Sequence, residues 1–309
     1  MNIPYGKQFI DQDDIDQVVR VLKSDFLTQG PYVAEFEESY KRFVGGEYAI
    51  AVSNGTAALH LAVLALGLKF GQNIITTPIT FASSGNCAEF VGANVYFADI
   101  DPSTGLIDFE SVKSLIDSKP KGFFSGLIAV SFAGLPVRLK PFRELADESG
   151  FWIVEDACHA PGAFYKEEGV IRRSGGNNYA DATMFSFHPV KHIACGEGGM
   201  VTTNRKDVYD KVSLLRTHGI TKNSEELEKN DGGWYYEMVE LGYNYRLTDI
   251  QASLGITQLQ KIDKNLERRR DIAKKYVDAF DKVGLKYLKQ AEGHAYHLFV
   301  ILTENRSEL

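Results

Sequence analysis

Short apolar runs alternate with segments of helical periodicity from about residue 48 onward, and this alternation limits the possible folds more than any other feature. Runs such as IAV, LIAVSF and FWIV lack polar alternation, which is typical of strands buried on both faces of a sheet. Candidate strands span 48–52, 73–77, 94–98, 127–131, 151–155, 182–186 and 200–203, and candidate helices span 57–66, 141–148 and 208–216. The pattern predicts an α/β fold with a mostly parallel sheet.

Beyond residue 244 the periodicity changes to two long helices, at 249–259 and 262–280. We therefore predict an N-terminal segment and large domain at 1–245, and connecting helices with the start of a smaller domain at 246–309. One more strand candidate follows at 296–302. Because a single strand after a long helix cannot close a lobe, we expect this small α/β domain to be incomplete.

The 309-residue chain carries a formal net charge of −7, so it has no general attraction to phosphate backbones and we expect no nucleic-acid partner. Its start, MNIPYGKQFIDQDDIDQ, has neither a basic nor an apolar segment, and no apolar run reaches the ~20 residues that cross a bilayer. We expect a cytoplasmic protein without membrane insertion. Its three cysteines lack CxxC spacing, which argues against a disulfide framework or a cysteine-rich metal cluster.

A turn from strand to helix contains Ser53, Asn54, Gly55 and Thr56, and it is followed by an Ala/Leu-rich helix. Free backbone N–H groups and the positive end of a helix dipole favour an anion there, and the Thr56 hydroxyl can add a hydrogen bond. This segment predicts a phosphate cradle. The alternative is that Ser53, Asn54 or Thr56 simply caps the helix.

Asp156 lies directly after the apolar strand candidate at 151–155. Desolvation of a carboxylate is costly at such a place, so Asp156 needs a positively charged or hydrogen-bonding partner. A helix cap or a structural ion pair would also meet that need. Both interpretations stay open on this segment alone.

A lone lysine, Lys191, stands between a valine and a histidine and is followed by the glycine-rich turn GEGG. Burial at this place would lower the pKa of Lys191 and free its amine for Schiff-base chemistry, although a surface lysine beside an ordinary turn fits as well. Ser186, five residues earlier, could bind the same phosphate as Thr56. Because functional groups in such sheets gather at the carboxyl ends of the strands, we expect Thr56, Asp156 and Ser186 to converge on one edge.

Several other kinds of site find little support in the sequence. There is no GxxxxGK[ST] segment and no GxGxxG after a strand, so neither a nucleoside-triphosphate loop nor a dinucleotide fingerprint is indicated. His188 and His192 have the spacing of a metal chelate on a helix, but Pro189 and the adjoining glycines oppose a helix there. We predict no metal site.

Six segments in order resemble pyridoxal-phosphate enzymes of the aspartate-aminotransferase fold, and in particular the sugar aminotransferases of the DegT/StrS type. They are NGTAAL, PITFAS, VEDACHAPGA, FSFHPVKHIACGEGGM, LLRTHGIT and LGYNYRLTDIQASLG. The resemblance implies the fold type I of pyridoxal 5′-phosphate (PLP) enzymes, with a large domain built on a mostly parallel seven-stranded sheet. A sister group has His in place of the lysine and removes a sugar hydroxyl; Lys191 follows the aminating pattern.

The resemblance also implies roles for individual residues. Lys191 and Asp156 are the implied catalytic residues: Lys191 would form the Schiff base with PLP, and Asp156 would pair with the pyridine nitrogen. Phe81 matches an aromatic residue that stacks on the ring, and His159 matches the residue that contacts the 3′-oxygen. The full implied cofactor set is Ser53, Gly55, Thr56, Phe81, Asp156, His159, Ser186, Lys191 and Asn244.

In that set, Ser53, Gly55, Thr56 and Ser186 match phosphate-binding positions. Asn244 matches an asparagine that reaches the phosphate of a neighbouring subunit, which implies a homodimer with shared sites. Within the family, the opening segment and WYYEMVELGYNYRLTDIQ are similar to the transaminases of pseudaminic acid biosynthesis. This similarity implies amination of C4 of a UDP-linked 4-keto-6-deoxy-N-acetylhexosamine with glutamate as donor. Amination of another sugar position, or cofactor binding without catalysis, are the alternatives.

Overall fold

A computed structural model of the chain describes residues 6–229 and 231–308. The helices are α1 (Gln12–Leu22), α2 (Pro31–Val44), α3 (Gly55–Ala65), α4 (Ser83–Glu89), α5 (Phe109–Asp117), α6 (Lys140–Ser149), α7 (Lys206–Arg216), α8 (Asp249–Gln260) and α9 (Ile262–Val283). The strands are β1 (Tyr48–Val52), β2 (Asn73–Thr76), β3 (Asn94–Phe97), β4 (Phe124–Val130), β5 (Trp152–Asp156), β6 (Phe164–Glu167), β7 (Val170–Arg173), β8 (Ala182–Ser186), β9 (Gly199–Thr203), β10 (Ile220–Thr221), β11 (Glu237–Met238), β12 (Lys286–Tyr287) and β13 (Ile301–Leu302). None of the helices in these two ranges is long and apolar enough to cross a membrane.

Seven strands form the central sheet in the order β1-β9-β8-β5-β4-β2-β3. Strand β9 runs antiparallel to both of its neighbours, and the other neighbouring pairs are parallel. The predicted α/β class with a mostly parallel seven-stranded sheet is therefore confirmed. Strands β1, β5 and β8 consequently end at the same edge, at Val52, Asp156 and Ser186.

Helical layers cover both faces of the sheet. In β1, Ile50 and Val52 belong to an apolar cluster that includes the inner faces of α3 and α7, whereas Ala49 and Ala51 belong to a cluster that includes α2 and α8. Helix α3 is apolar nearly all round, which is typical of a helix buried in a core rather than lying on it. This burial fixes the start of α3 against the edge where β1 ends.

The segment before β1 is tied to α8 by buried acids. The Asp249 carboxylate accepts from the backbone N–H groups of Gly30 and Tyr32, at 2.7 and 2.9 Å. Asp14, which is fully buried, contacts Lys261 Nζ at 2.6 Å. Helix α8 thereby lies in one packed layer with α1 and α2. The division of the chain into two units at residue 245 stays a prediction.

The predicted strand at 296–302 is wrong over most of its length. Only Ile301–Leu302 is extended and paired, and its partner is the antiparallel strand β12. Upstream, Leu298 N donates to the carbonyl oxygen of Ala133 at 3.1 Å, and Tyr296 has a left-handed backbone with φ of 49°. The apolar run predicted a strand, but its backbone hydrogen bonds go to the turn that follows β4 instead.

Candidate active site

The turn between β1 and α3 brings three strand ends into contact. Asn54 caps α3, because its side chain accepts from the Ala57 N–H at 2.8 Å. A Cβ added at Gly55 would lie 3.0 Å from Ser186 Cβ and 3.3 Å from Cys158 Sγ. Gly55 and Ser186, two residues of the predicted cradle, therefore lie close together, and a side chain at position 55 would crowd Ser186 and Cys158. The capping function belongs to Asn54 and does not occupy the side chains of Ser53 and Thr56.

Asp156 ends β5 at this edge and is 4% exposed. Its two oxygens accept from neutral donors, the Ser84 hydroxyl at 2.8 Å and the Cys158 N–H at 3.1 Å. Among the described residues, no Lys, Arg or His lies within salt-bridge distance of this carboxylate. A structural ion pair in this part of the chain therefore does not account for Asp156. Its arrangement leaves a buried negative charge that can pair with a cation of a ligand.

Lys191 lies in the turn after β8, beyond the end of the strand. Burial lowers the pKa of its amine, while the nearby Cys158 and Asp156 oppose that shift. The amine nitrogen lies 3.4 Å from Nε2 of His297. The turn is closed by a hydrogen bond from Lys191 N to the His188 carbonyl at 2.8 Å, and it is not helical. A helical chelate of His188 and His192 is consequently not formed.

His159 follows Asp156 by three residues and lies beside Lys191. Its pKa is lowered to about 4, first by burial and then by the positive charge of Lys191. Its Nδ1 atom is buried and, among the described residues, has no hydrogen-bond partner. A neutral ring nitrogen without a partner at this position can form a hydrogen bond with a polar atom of a ligand.

Phe81 and Asn244 are both exposed. Phe81 is 72% exposed and its carbonyl accepts from Ser84 N at 3.1 Å, one turn from the hydroxyl that contacts Asp156. Asn244 precedes Tyr245, whose carbonyl accepts from Ser53 N at 2.8 Å. Phe81 and Asn244 are therefore linked to the sheet edge at which β1, β5 and β8 end, through Ser84 and Tyr245 respectively.

Two residues near the site were missed from the sequence. Ser84 lies one residue beyond the segment PITFAS, and its hydroxyl fixes Asp156. His297 lies in the short apolar run that we interpreted as a strand. A histidine within an otherwise apolar run is the signal that could have identified His297.

Comparisons with known proteins agree with one another on the class of enzyme. The model of the DegT/DnrJ/EryC1/StrS aminotransferase family matches residues 8–309. The UDP-4-amino-4,6-dideoxy-N-acetyl-beta-L-altrosamine transaminase of Campylobacter jejuni is 38% identical over 304 residues, which cover 96% of this chain and 76% of that protein.

Two solved structures have the same architecture. PseC of Helicobacter pylori, an aminotransferase involved in the biosynthesis of pseudoaminic acid, superposes with a TM-score of 0.87 at 29% identity, over 99% of this chain and 79% of that one. A putative sugar aminotransferase of Streptococcus pneumoniae, solved in apo-, PMP- and PLP-forms, reaches 0.88 in its apo-form at 28% identity, over 99% of this chain and 78% of that one.

Proposed function

The chain belongs to the DegT/DnrJ/EryC1/StrS aminotransferase family and is an aminotransferase, and from this premise we propose that it carries PLP on Lys191 and aminates a nucleotide-linked keto sugar. The observation that carries the proposal is the half-buried amine of Lys191, whose pKa burial lowers, together with its electrostatic interaction with the Asp156 carboxylate. The substrate that we propose is a UDP-linked 4-keto-6-deoxy-N-acetylhexosamine, aminated at C4 with glutamate as donor. The names of the Campylobacter and Helicobacter relatives support that choice.

The residues at the edge fit PLP. The Asp156 carboxylate has only neutral donors in the described structure, so it can pair with a protonated pyridine nitrogen. The His159 Nδ1 atom, buried without a described partner, suits the 3′-oxygen. Gly55 leaves room where a Cβ would approach Ser186, which suits a phosphate held by the first turn of α3.

When bound, the cofactor supplies an electron sink for the bond broken at the substrate carbon and carries nitrogen between two substrates. Asp156 would hold the proton on the pyridine nitrogen, because a buried negative charge favours a cationic partner. The Lys191 amine would take a proton from the substrate carbon and deliver it to C4′ of the cofactor. Burial supports this role, since a lowered pKa increases the fraction of the amine that is uncharged and able to accept a proton.

We further propose a homodimer in which each subunit completes the other's site. Asn244 is exposed, and it pairs in an isolated bridge with Thr217, the residue that directly follows α7. An exposed amide adjacent to Tyr245, which contacts Ser53, is suitably located to donate to a phosphate bound by a second copy. Phe81, also exposed, is our candidate for stacking on the cofactor ring.

The test has two arms on the same protein. Borohydride reduction with PLP should place a pyridoxyl group on the peptide that contains Lys191, read by mass spectrometry, and Lys191→Ala should abolish this label. Lys264→Ala, which removes an exposed lysine of α9, should leave the label unchanged. A label on another lysine, or none at all, contradicts the proposed role of Lys191.

In the second arm, ¹⁵N-glutamate and UDP-linked 4-keto hexoses of both C5 configurations are supplied, and the products are analysed by NMR. Nitrogen at C4 of one sugar supports the proposed reaction. Nitrogen at another ring position would assign the chain to a different sugar aminotransferase. A labelled Lys191 without any transfer to these sugars rejects the proposed substrate.

A further inference from the structure

Lys191 is in contact with a histidine from the far end of the described chain. The Nζ atom of Lys191 lies 3.4 Å from Nε2 of His297, and the two residues are 106 positions apart. The His297 ring also lies against the ring of His159, with centroids 4.3 Å apart and an interplanar angle of 35°. The lysine and the residue proposed for the 3′-oxygen therefore share one neighbour.

The turn that presents His297 is docked on the end of β4 by its backbone. Ala295 N donates to the Gly134 carbonyl at 2.9 Å, and Leu298 N donates to the Ala133 carbonyl at 3.1 Å. Between them Tyr296 has φ of 49°, a backbone conformation that aromatic residues rarely adopt. Such a conformation persists only where the surroundings enforce it, so His297 is held in a fixed place.

Two basic side chains hold the same turn from other elements. Arg269 of α9 donates to the Tyr296 carbonyl at 2.9 Å. The Nε2 atom of the buried His192 lies 2.8 Å from the Ala295 carbonyl, so this nitrogen carries the proton and donates. The turn is thus fixed from the sheet edge, from α9 and from the residue next to Lys191.

The groups that face His297 are basic. Burial lowers the pKa of His297 far below its ordinary value, and the charges of His159, Lys191, His192 and Arg269 act in the same direction. The imidazole is therefore neutral at physiological pH, and a neutral ring nitrogen can accept a hydrogen bond. A carboxylate in the same place would instead hold the lysine amine in its charged form.

We propose that His297 is a positioning residue for Lys191, whose free amine donates a hydrogen bond to its Nε2 atom. The contact holds the amine at the sheet edge near Asp156 without adding a negative charge beside it. This inference deepens the proposed function and rests on it, since it matters for the reaction only if Lys191 is the reacting amine.

The test measures the pH dependence of the reactivity of the Lys191 amine in cofactor-free protein. Lys191 is acetylated by trace acetic anhydride at a series of pH values, and its labelled fraction is read by mass spectrometry. Because a hydrogen bond to the charged form favours that form, His297→Phe should lower the titration midpoint of Lys191 by about one pH unit. At a pH below both midpoints, that change makes the amine roughly tenfold more reactive.

Matched variants separate positioning from a general loss of structure. His297→Gln keeps an acceptor and should restore the midpoint towards that of the wild type, whereas His297→Glu should raise it. His188→Phe makes the same change at an exposed histidine three residues from Lys191 and should leave the midpoint unchanged. The Gln and Glu variants decide the question even if the Phe variant fails to fold.

An unchanged midpoint in folded His297→Phe, or equal midpoints for the Gln and Glu variants, overturns the inference. The outcome is independent of the borohydride experiment. If the midpoints shift as expected but borohydride labels another lysine, the contact stands and the proposed function fails. If borohydride labels Lys191 but its titration midpoint does not change in the His297 variants, the proposed function stands and the positioning role of His297 fails.

Discussion

Asp156 is a buried carboxylate that is contacted only by neutral donors among the described residues. Its donors, the Ser84 hydroxyl and the Cys158 N–H, are neutral, so they satisfy the carboxylate oxygens without cancelling their charge. A buried anion of this kind is costly unless a cation joins it. The side chain is therefore better suited to a ligand-bound protein than to stabilising the protein alone.

The charge of Asp156 can be removed while its shape is kept. Asp156→Asn can still accept from Cys158 N and can donate to the Ser84 hydroxyl, so the fold should persist. We expect transamination to fall by about a hundredfold or more, because a buried charge aimed at the reacting group is lost. The assay is single-turnover transfer of ¹⁵N from glutamate.

Ser84→Ala is the control for this prediction. It removes the hydrogen bonds of the Ser84 hydroxyl to Asp156 and Thr80, each worth about 1 kcal/mol, and leaves the Asp156 charge in place. It should reduce the rate by about tenfold at most. Near-normal turnover of Asp156→Asn would contradict the pairing that we propose for the pyridine nitrogen.

Gly134 governs how the turn at 294–298 docks on the turn that follows β4. Its φ is 103°, and an added Cβ would meet Tyr296 N at 2.8 Å, His159 O at 2.9 Å and His297 N at 3.0 Å. These are backbone atoms, which cannot move aside as a side chain can. The docking of this element consequently depends on the absence of a single methyl group.

Gly134→Ala should destabilise the protein by both strain and collision. Gly122→Ala is a matched control, since Gly122 has φ of 80° with nothing within 4 Å of an added Cβ. Left-handed backbone alone should cost the control variant about 1 kcal/mol, and Gly134→Ala should lose about 2 kcal/mol more. Urea unfolding measures both, and equal losses would show that the turn does not dock through Gly134.

The seven strands of the central sheet were predictable because they are short, mostly apolar runs with clear ends, whereas the short strands outside it were not. The predicted bounds of β1 and β8 agree with the structure, and the meeting of Asp156 and Ser186 followed from parallel strands sharing an edge. The place of His297 was not predictable in the same way. It depends on a left-handed backbone at Tyr296, a residue type that does not favour it, and on hydrogen bonds to Ala133 and Gly134 far away in the sequence.

At the scale of the whole molecule, two buried histidines stabilise the turn at 294–298: His192 contacts the Ala295 carbonyl, and His294 accepts from Tyr296 N within the turn. Burial lowers the pKa of His192 to about 3 and that of His294 to about 4, against an ordinary value of 6.5. The unfolded chain therefore binds more protons than the folded one between these values and 6.5. The stability that these two neutral rings contribute is complete above pH 6.5 and is lost as the pH falls towards 3.

This linkage predicts an acid-sensitive fold. At pH 5, His192 alone should contribute a slope of about 1.4 kcal/mol per pH unit to the free energy of unfolding. His192→Gln can still donate to the Ala295 carbonyl but does not titrate, so this part of the slope should vanish. Urea unfolding between pH 4.5 and 7 measures it, and identical slopes for the two proteins would refute the assignment.

The contact between Lys191 and His297 also has a consequence for how the protein is made. The two residues are separated by 106 positions. At about 5 to 20 residues per second, a ribosome adds the histidine roughly 5 to 20 seconds after the lysine. Synthesis of the central sheet is completed early in that interval, at Thr203, while the amine still lacks its neighbour. The lysine therefore acquires its histidine contact only after every strand of the central sheet has been synthesised.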